Sequence, residues 1–339
     1  MASSLPHIVI AGTGAMACLF GARLSAAGVP VTLMGTWAAG LQALKRDGVR
    51  VVEPDGQENV YAVRTATDPR KVQKSNLALV CVKSWQTERA SRQLAGCLAG
   101  DGVALTLQNG MGNYEAMEKF LGPQRAALGT TTTGANMLSP GVVRSGGEGI
   151  ISLEDHLRTQ LLREVFSYAG FAVQAVADPI ELLWGKLVIN AAINPLTALL
   201  RVPNGGLLER PQARMLMSAA AKEAAAVATA QGIRLPYPDP TAVAESVAAR
   251  TSSNLSSMLQ DILRGSPTEI DAISGAVVQI GESAGVAAPV NRTLWSLVKA
   301  LEISSGKAPI KGRRKFKRLV KNKSQISAGI IGKPNNQAL

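Results

Sequence analysis

Hydrophobic positions in the first half of the chain come in short, nearly continuous runs: His7–Ala11 (HIVIA), Val29–Met34, Leu77–Val82 (LALVCV) and Val103–Leu107. Runs of this kind, with no polar alternation, suit strands buried on both faces of a parallel sheet. Between the first two lies GTGAMACLFGARLSAAG, a glycine turn leading into a small-residue helix that ends at Gly28. Gly40–Asp47 reads as helix, and another follows Val82 through about Leu98. Strand alternating with helix predicts a doubly wound α/β domain of Rossmann type. The stretch Ala127–Leu153, rich in Thr, Gly, Ser and β-branched residues, is expected to add antiparallel strands at an edge.

From about Pro179 the hydrophobic period lengthens to that of helices. Helices are predicted at Ile180–Leu200, Pro211–Gln231, Pro240–Leu263, Thr268–Ala284 and Val290–Glu302, punctuated by Gly and Pro. No strand-like run competes with them. The expected fold class is therefore α/β, an N-terminal doubly wound sheet followed by a C-terminal all-α domain. The expected domains are a dinucleotide-binding Rossmann domain over 1–178, an all-helical substrate and catalytic domain over 179–306, and a tail over 307–339.

One predicted helix carries an unusual stripe. In ELLWGKLVINAAINPLT, Lys186, Asn190 and Asn194 follow one another at four-residue steps, hence on one face. The positions between them are apolar, so the helix should be buried, and a buried ammonium with two carboxamides is costly unless partnered. Two readings fit: a polar cleft into which Lys186 points, or a satisfied structural network.

Composition changes this picture in three places. The 339 residues are 46% hydrophobic, enough for two ordinary cores, while aromatics at 4% argue against an aromatic nucleic-acid platform. No uninterrupted apolar run approaches the ~20 residues of a membrane span, and the opening MASSLPHIVIAG lacks a basic n-region, so a cytoplasmic location is expected. Cys18, Cys81 and Cys97 lack paired metal spacing and read as reduced packing residues; no metal site is expected. The net charge of +12 belongs to the tail: ten Lys and Arg and no acid follow from Lys307, leaving 26 basic against 24 acidic residues before it. KGRRKFKRLVKNK is dense enough for phosphate contacts, or is a solubilising disordered end.

Several short motifs carry candidate chemistry. Gly12-Thr13-Gly14-Ala15-Met16-Ala17 matches G-x-G-x-x-G/A, after a strand and opening a helix, where the motif binds a pyrophosphate at the helix N-terminus. At the end of the second strand an acid would favour NAD and an arginine NADP; Met34-Gly35-Thr36-Trp37 offers neither, and Thr36 could bond a 2′-hydroxyl or a 2′-phosphate. Asn109, in QNGMG after Val103–Leu107, is a turn former or a ligand contact at the carboxyl edge of the sheet. Lys83 after Leu77–Val82 is a solvated loop residue or a cofactor contact. In the helical half, Asn254, Ser257 and Asp261 share a predicted stripe. Thr268 and Asp271 could form a capping box, leaving Glu269 as a solvated residue of the first turn. His7 and His156 have no partner at recognisable spacing and receive no chemistry.

Taken in order, GTGAMA, VKSWQ (82–86), QNGMG (108–112), GTTTTGA (129–135), LWGKLVINAAINPLTAL, NLSSMLQDI (254–262) and TEIDAISG (268–275) make the chain resemble the ketopantoate reductases, or 2-dehydropantoate 2-reductases, from about residue 7 to 302. The resemblance implies NADPH-dependent reduction of 2-dehydropantoate to (R)-pantoate, a step toward pantothenate and coenzyme A. It implies Lys186 as general acid on the carbonyl oxygen and Glu269 as the group holding the substrate hydroxyl. It places Asn109, Asn190, Asn194, Asn254 and Ser257 around the substrate, Ser257 near its carboxylate. It makes Gly12, Thr13, Gly14, Ala15, Met16, Thr36, Lys83 and Asn109 cofactor contacts. Thr36 stands where many members carry an arginine, which leaves NADH open beside NADPH, and the tail after Gly306 has no counterpart in the family pattern.

A reductase of another small 2-oxo acid shares all these motifs, because one sequence does not show the pocket walls. A cofactor-binding sensor, or a nucleic-acid-associated protein using its tail, would not need both Lys186 and Glu269. The expected partner is a small 2-oxo acid, with no membrane and no nucleic acid, and a homodimer is compatible with the chain. Truncation after Gly306 should leave the rate of NADPH oxidation with 2-dehydropantoate intact; loss of that rate would assign the tail to the fold.

Overall fold

A computed structural model describes residues 5–305, so the basic tail lies outside the described residues. The chain opens with β1 (Ile8–Ala11), α1 (Ala15–Ala26), β2 (Val31–Met34), α2 (Ala38–Asp47), β3 (Val49–Val52), β4 (Glu58–Tyr61) and β5 (Arg64–Ala66). It continues with β6 (Ser75–Val80), α3 (Thr87–Cys97), β7 (Leu98–Thr106), α4 (Asn113–Leu121) and β8 (Ala126–Thr131). Then come β9 (Ala135–Ser139), β10 (Val142–Ser145), β11 (Ile150–Glu154), α5 (Leu157–Tyr168) and β12 (Ala172–Val176).

These strands form an eight-stranded sheet in the order β12-β11-β8-β7-β6-β1-β2-β5. It is parallel throughout except where β11 runs antiparallel to β8. The apolar runs make sense on this sheet. Ile8 and Ile10 of β1 join one core with α1 and Phe166 of α5, while Val9 and Ala11 join the other with α3 and α4. A strand covered by helices on both faces has no polar side to show.

The expected antiparallel edge is realised by β11, but β9 and β10 leave the main sheet. With β3 and β4 they form a second sheet, β4-β3-β10-β9, that packs Val49, Val51 and Val143 against the α1 side of the core. The small strands β3, β4, β5 and β12 escape the sequence pattern, because three to five residues are too few to show a distinct period.

The second half is helical: α6 (Pro179–Leu200), α7 (Pro211–Ala230), α8 (Pro240–Arg250), α9 (Ser257–Arg264), a π-helical turn (Asp271–Gly275), α10 (Ala276–Ser283) and α11 (Pro289–Ser305). Helix α6 begins where Asp178 accepts a hydrogen bond from the Ile180 N–H (2.8 Å) ahead of Pro179, and it ends at Arg201 in the left-handed region. It runs through the centre of the helical core against α7, α8, α9 and α11. By length and mean hydropathy (1.3) it could cross a membrane, which amends the expectation that nothing in the chain could; in this fold 72% of that window is buried inside the protein.

Two helical expectations need correction. Pro240–Leu263 is not one helix: Thr251-Ser252-Ser253-Asn254 turns the chain, and a new helix starts at Ser257. Side chains of Ser, Thr and Asn compete for backbone hydrogen bonds and favour turns and caps over helix interiors. Asn254 is consequently exposed in the turn and off the stripe of Ser257 and Asp261. Nor is there a capping box at Thr268. Thr268 Oγ1 accepts from the Ile270 N–H (3.2 Å), but Asp271 turns away to Trp295 Nε1 (2.7 Å) and Lys299 Nζ (2.9 Å).

Ser256 caps the new helix by accepting from the Leu259 N–H (3.1 Å), and its oxygen lies 2.7 Å from Thr197 Oγ1 of α6. Ser256→Ala should lower unfolding stability by ~1 kcal/mol, the usual worth of an N-cap, read by urea denaturation; an unchanged midpoint would show that α9 does not depend on this cap.

Candidate active site

The site is built from strand ends. Gly12 follows β1, Gly35 and Thr36 follow β2, Cys81–Lys83 follow β6, and Leu107–Asn109 follow β7. All line one cavity of about 450 Å³ at the carboxyl edge of the sheet, where open α/β folds bind their ligands. Lys186 of α6, Ser257 and Asp261 of α9, and Glu269 close it from the helical side. A larger cavity, about 750 Å³, lies farther along α1 around the Arg23–Glu53 ion pair (2.7 Å). It holds neither the glycine turn nor the strand ends.

At the glycine turn the backbone geometry is demanding. Gly12 has φ +134°, and a Cβ there would stand 2.6 Å from the Cys81 carbonyl oxygen, so no other residue fits. Gly14 is the N-cap of α1, with no side-chain cap and no acid in the first turn, and a Cβ on it would meet nothing within 4 Å. The first N–H groups of α1 are thus left for a ligand on the cavity side. That combination fits the pyrophosphate of a dinucleotide.

The loop after β7 is held by a buried polar network. Gln108 Nε2 donates to the Val82 carbonyl (2.7 Å) and to Thr87 Oγ1 (2.9 Å). Thr87 Oγ1 donates to Asn113 Oδ1 (2.9 Å), and Asn113 Nδ2 donates to the Asn109 carbonyl (3.0 Å). This fixes the backbone of Asn109 against that of Val82. Gly110, at φ +82°, lies so near the π-turn that a Cβ would sit 2.5 Å from the Ala272 carbonyl, which accepts from the Met111 N–H (2.9 Å).

Charged groups from both halves of the chain meet in the cavity. Lys83 Nζ donates to Asp261 Oδ2 (2.5 Å) and lies 3.6 Å from Glu269 Oε2. Glu269 Oε1 accepts from the Ser84 N–H (2.9 Å). Lys186 Nζ donates to the Thr131 carbonyl (2.7 Å). Glu269 is 7% exposed, which overturns its reading as a solvated helix start, and Lys83 is an ion-paired bridge rather than a solvated loop residue.

Burial pulls the Lys186 ammonium down to about 8, against the opposing pull of the Glu269 charge. Lys83 goes the other way. Burial would lower it, but Glu269 and Asp261 outweigh burial and hold it above the usual lysine range. Asp261 is raised, chiefly by burial and despite Lys83.

The structure thus brings Gly12, Thr13, Gly14, Ala15, Met16, Thr36, Lys83, Asn109, Lys186, Ser257 and Glu269 around one cavity. Asn190 and Asn194 share the α6 stripe, with Asn194 buried, but neither is among the residues lining the cavity. Asn254 is exposed and also outside the lining; its carbonyl accepts from the Asn204 N–H (3.0 Å). Sequence reasoning passed over Asp261 as a site residue, and over Arg264, whose Nη2 donates to Gln260 Oε1 (3.0 Å) and reaches the Met137 carbonyl (3.5 Å). Asp261 was signalled by its place on the stripe with Ser257 and within the motif 254–262, whereas Arg264 lies just beyond that motif and carried no signal.

Comparison with known proteins agrees with this geometry. The family profile "Ketopantoate reductase PanE/ApbA" matches residues 8–157, and "Ketopantoate reductase PanE/ApbA C terminal" matches 179–302. A 2-dehydropantoate 2-reductase of Halobacterium salinarum is 37% identical over 298 residues, 86% of this chain and 98% of the relative. Among solved structures, a PanE/ApbA family ketopantoate reductase from Ralstonia eutropha JMP134 superposes with TM-score 0.82 at 32% identity, covering 89% of this chain and 100% of the other. A D-mandelate dehydrogenase in ternary complex with NADH and anilino(oxo)acetate gives TM-score 0.84 at 28% identity, with the same coverage.

The depressed Lys186 value has a thermodynamic consequence. Below about pH 8 the lysine is charged in both folded and unfolded chains. Between about 8 and its ordinary 10.5 only the unfolded chain keeps the proton, so its contribution to stability rises across that window. NMR titration of isotopically labelled lysine side chains should show one resonance, absent in Lys186→Met, titrating near pH 8; a titration at the ordinary lysine value would refute the burial argument.

Proposed function

The chain belongs to the ketopantoate reductase family, and from that premise we propose that it reduces 2-dehydropantoate to (R)-pantoate with NADPH. The observation that carries the reading is the meeting of Lys186 and Glu269 over the glycine turn and the strand ends. A nicotinamide cofactor, when bound, supplies the hydride.

The chain's own residues do the rest. Gly12, Thr13, Gly14, Ala15 and Met16 receive the pyrophosphate, and Asn109, its backbone braced by Asn113, sits at the junction of cofactor and substrate. The Lys186 ammonium donates its proton to the carbonyl oxygen at carbon 2 as charge develops there. A group held near pH 8 is still largely protonated at neutral pH yet gives up its proton more readily than an ordinary lysine. Glu269 accepts a hydrogen bond from the substrate hydroxyl and offsets the Lys186 charge. Ser257, at the first turn of α9, faces the substrate carboxylate. Asn190 and Asn194 orient Lys186 from within α6, and Asn254 approaches the substrate only if the turn before α9 moves. The assignment accords with a reducing cytoplasm, to which the free cysteines Cys18, Cys81 and Cys97 are suited.

The likeness to a D-mandelate dehydrogenase favours a second reading, in which the same machinery acts on another 2-oxo acid. Steady-state oxidation of NADPH and NADH with 2-dehydropantoate and with aryl 2-oxo acids separates the two: kcat/KM should be highest for 2-dehydropantoate, and the reverse order would transfer the assignment. Lys186→Ala should lower kcat by a factor of ~10²–10⁴ with little change in cofactor affinity, and in the native chain kcat/KM for reduction should fall as pH rises through about 8. Native turnover in the variant would overturn the general-acid role.

A further inference from the structure

The adenosine end of the cavity has an unusual wall. β2 ends in Met34-Gly35-Thr36-Trp37, so the position that meets the adenosine ribose in doubly wound folds carries neither acid nor base. At the start of α3, Gln86 and Arg89 line the same cavity as Thr36 and Trp37. Arg89 is exposed, and among the described residues no carboxylate is bonded to it. Its neighbour Glu88 is engaged elsewhere, by Arg92 (3.1 Å) and Lys119 (3.7 Å).

We propose that Arg89, with the Thr36 hydroxyl, forms a 2′-phosphate site that makes this chain prefer NADPH over NADH. The proposal rests on the reading of the cavity as a nicotinamide dinucleotide site. A 2′-phosphate brings close to two negative charges and three acceptor oxygens. Thr36 can donate one hydrogen bond but no charge. A guanidinium supplies both the charge and a planar fork matched to phosphate oxygens. The lack of an acid after β2 matters as much, because a carboxylate there would repel the phosphate and select the bare ribose. Trp37, 41% exposed, has its ring over Gly40, where a Cβ would collide with it, and so presents an apolar face beside Thr36 for the adenine. The charge that selects the phosphorylated cofactor thus comes from α3 instead of from the end of β2.

Isothermal titration of the full chain with NADPH, NADH and 2′,5′-ADP tests this without any substrate. The native chain should bind NADPH more tightly than NADH. Arg89→Ala should weaken NADPH and 2′,5′-ADP about ten- to a hundredfold, the range of a charge-assisted contact, and so collapse the NADPH-to-NADH ratio. Arg89→Lys should recover part of it. Because Arg89 is exposed, thermal melts of the variants should match the native chain. A native NADPH-to-NADH ratio in Arg89→Ala would overturn the role of Arg89. Failure of the native chain to bind either dinucleotide would instead overturn the reading of the cavity.

Discussion

Two half-buried ammonium groups and two buried carboxylates meet where the two halves of the chain face each other, and three of the four hold one another in ion pairs. Lys83 comes from the loop after β6, Asp261 from α9 and Glu269 from the bend before the π-turn, and the ion pairs between them cross the cleft. Removing any charge of such a set leaves its partner buried and uncompensated, a larger penalty than the net worth of the pair. Lys186 is the exception that gives the set its chemistry. Its one hydrogen bond is to a neutral backbone carbonyl, that of Thr131, and burial leaves its proton loosely held. A lysine fully paired with a carboxylate would be more stable and less acidic.

The same cleft is also where backbones approach most closely. Gly12 lies against the Cys81 carbonyl and Gly110 against the Ala272 carbonyl, and in both places a side chain would collide. These contacts set the depth of the cavity on the sheet side and dock the loop after β7 onto the helical half. The network from Gln108 through Thr87 and Asn113 then holds Asn109 in place without using its own carboxamide. A side chain left unengaged in this way is available to a ligand.

How much was legible depended on the kind of interaction. The runs at β1, β2, β6 and β7 were readable because burial on both faces forces continuous apolar residues. The glycine fingerprint was readable because a backbone approach admits only glycine, and the α6 stripe because polar residues at four-residue steps in an apolar helix are conspicuous. The break between α8 and α9 was not, although Thr251-Ser252-Ser253-Asn254 are turn formers, because the flanking apolar residues keep an unbroken helical period. The second sheet was missed because its two local hairpins, β3–β4 and β9–β10, are joined only where Val142 of β10 pairs with Arg50 of β3, and no local pattern encodes a partner so far along the chain.

By itself the sequence determined the order of strand and helix, the phosphate-binding turn and the burial of Lys186, since each follows from local periodicity or from the steric demands of a few adjacent residues. Only the tertiary structure decided what Lys186, Glu269 and Lys83 do to one another. Lys83 and Glu269 are 186 positions apart, and whether either is solvated or paired depends on whether the end of β6 and the turn before α10 meet. The fold brings them within 3.6 Å. Electrostatic roles are set by distance and burial in space, and a linear chain carries neither.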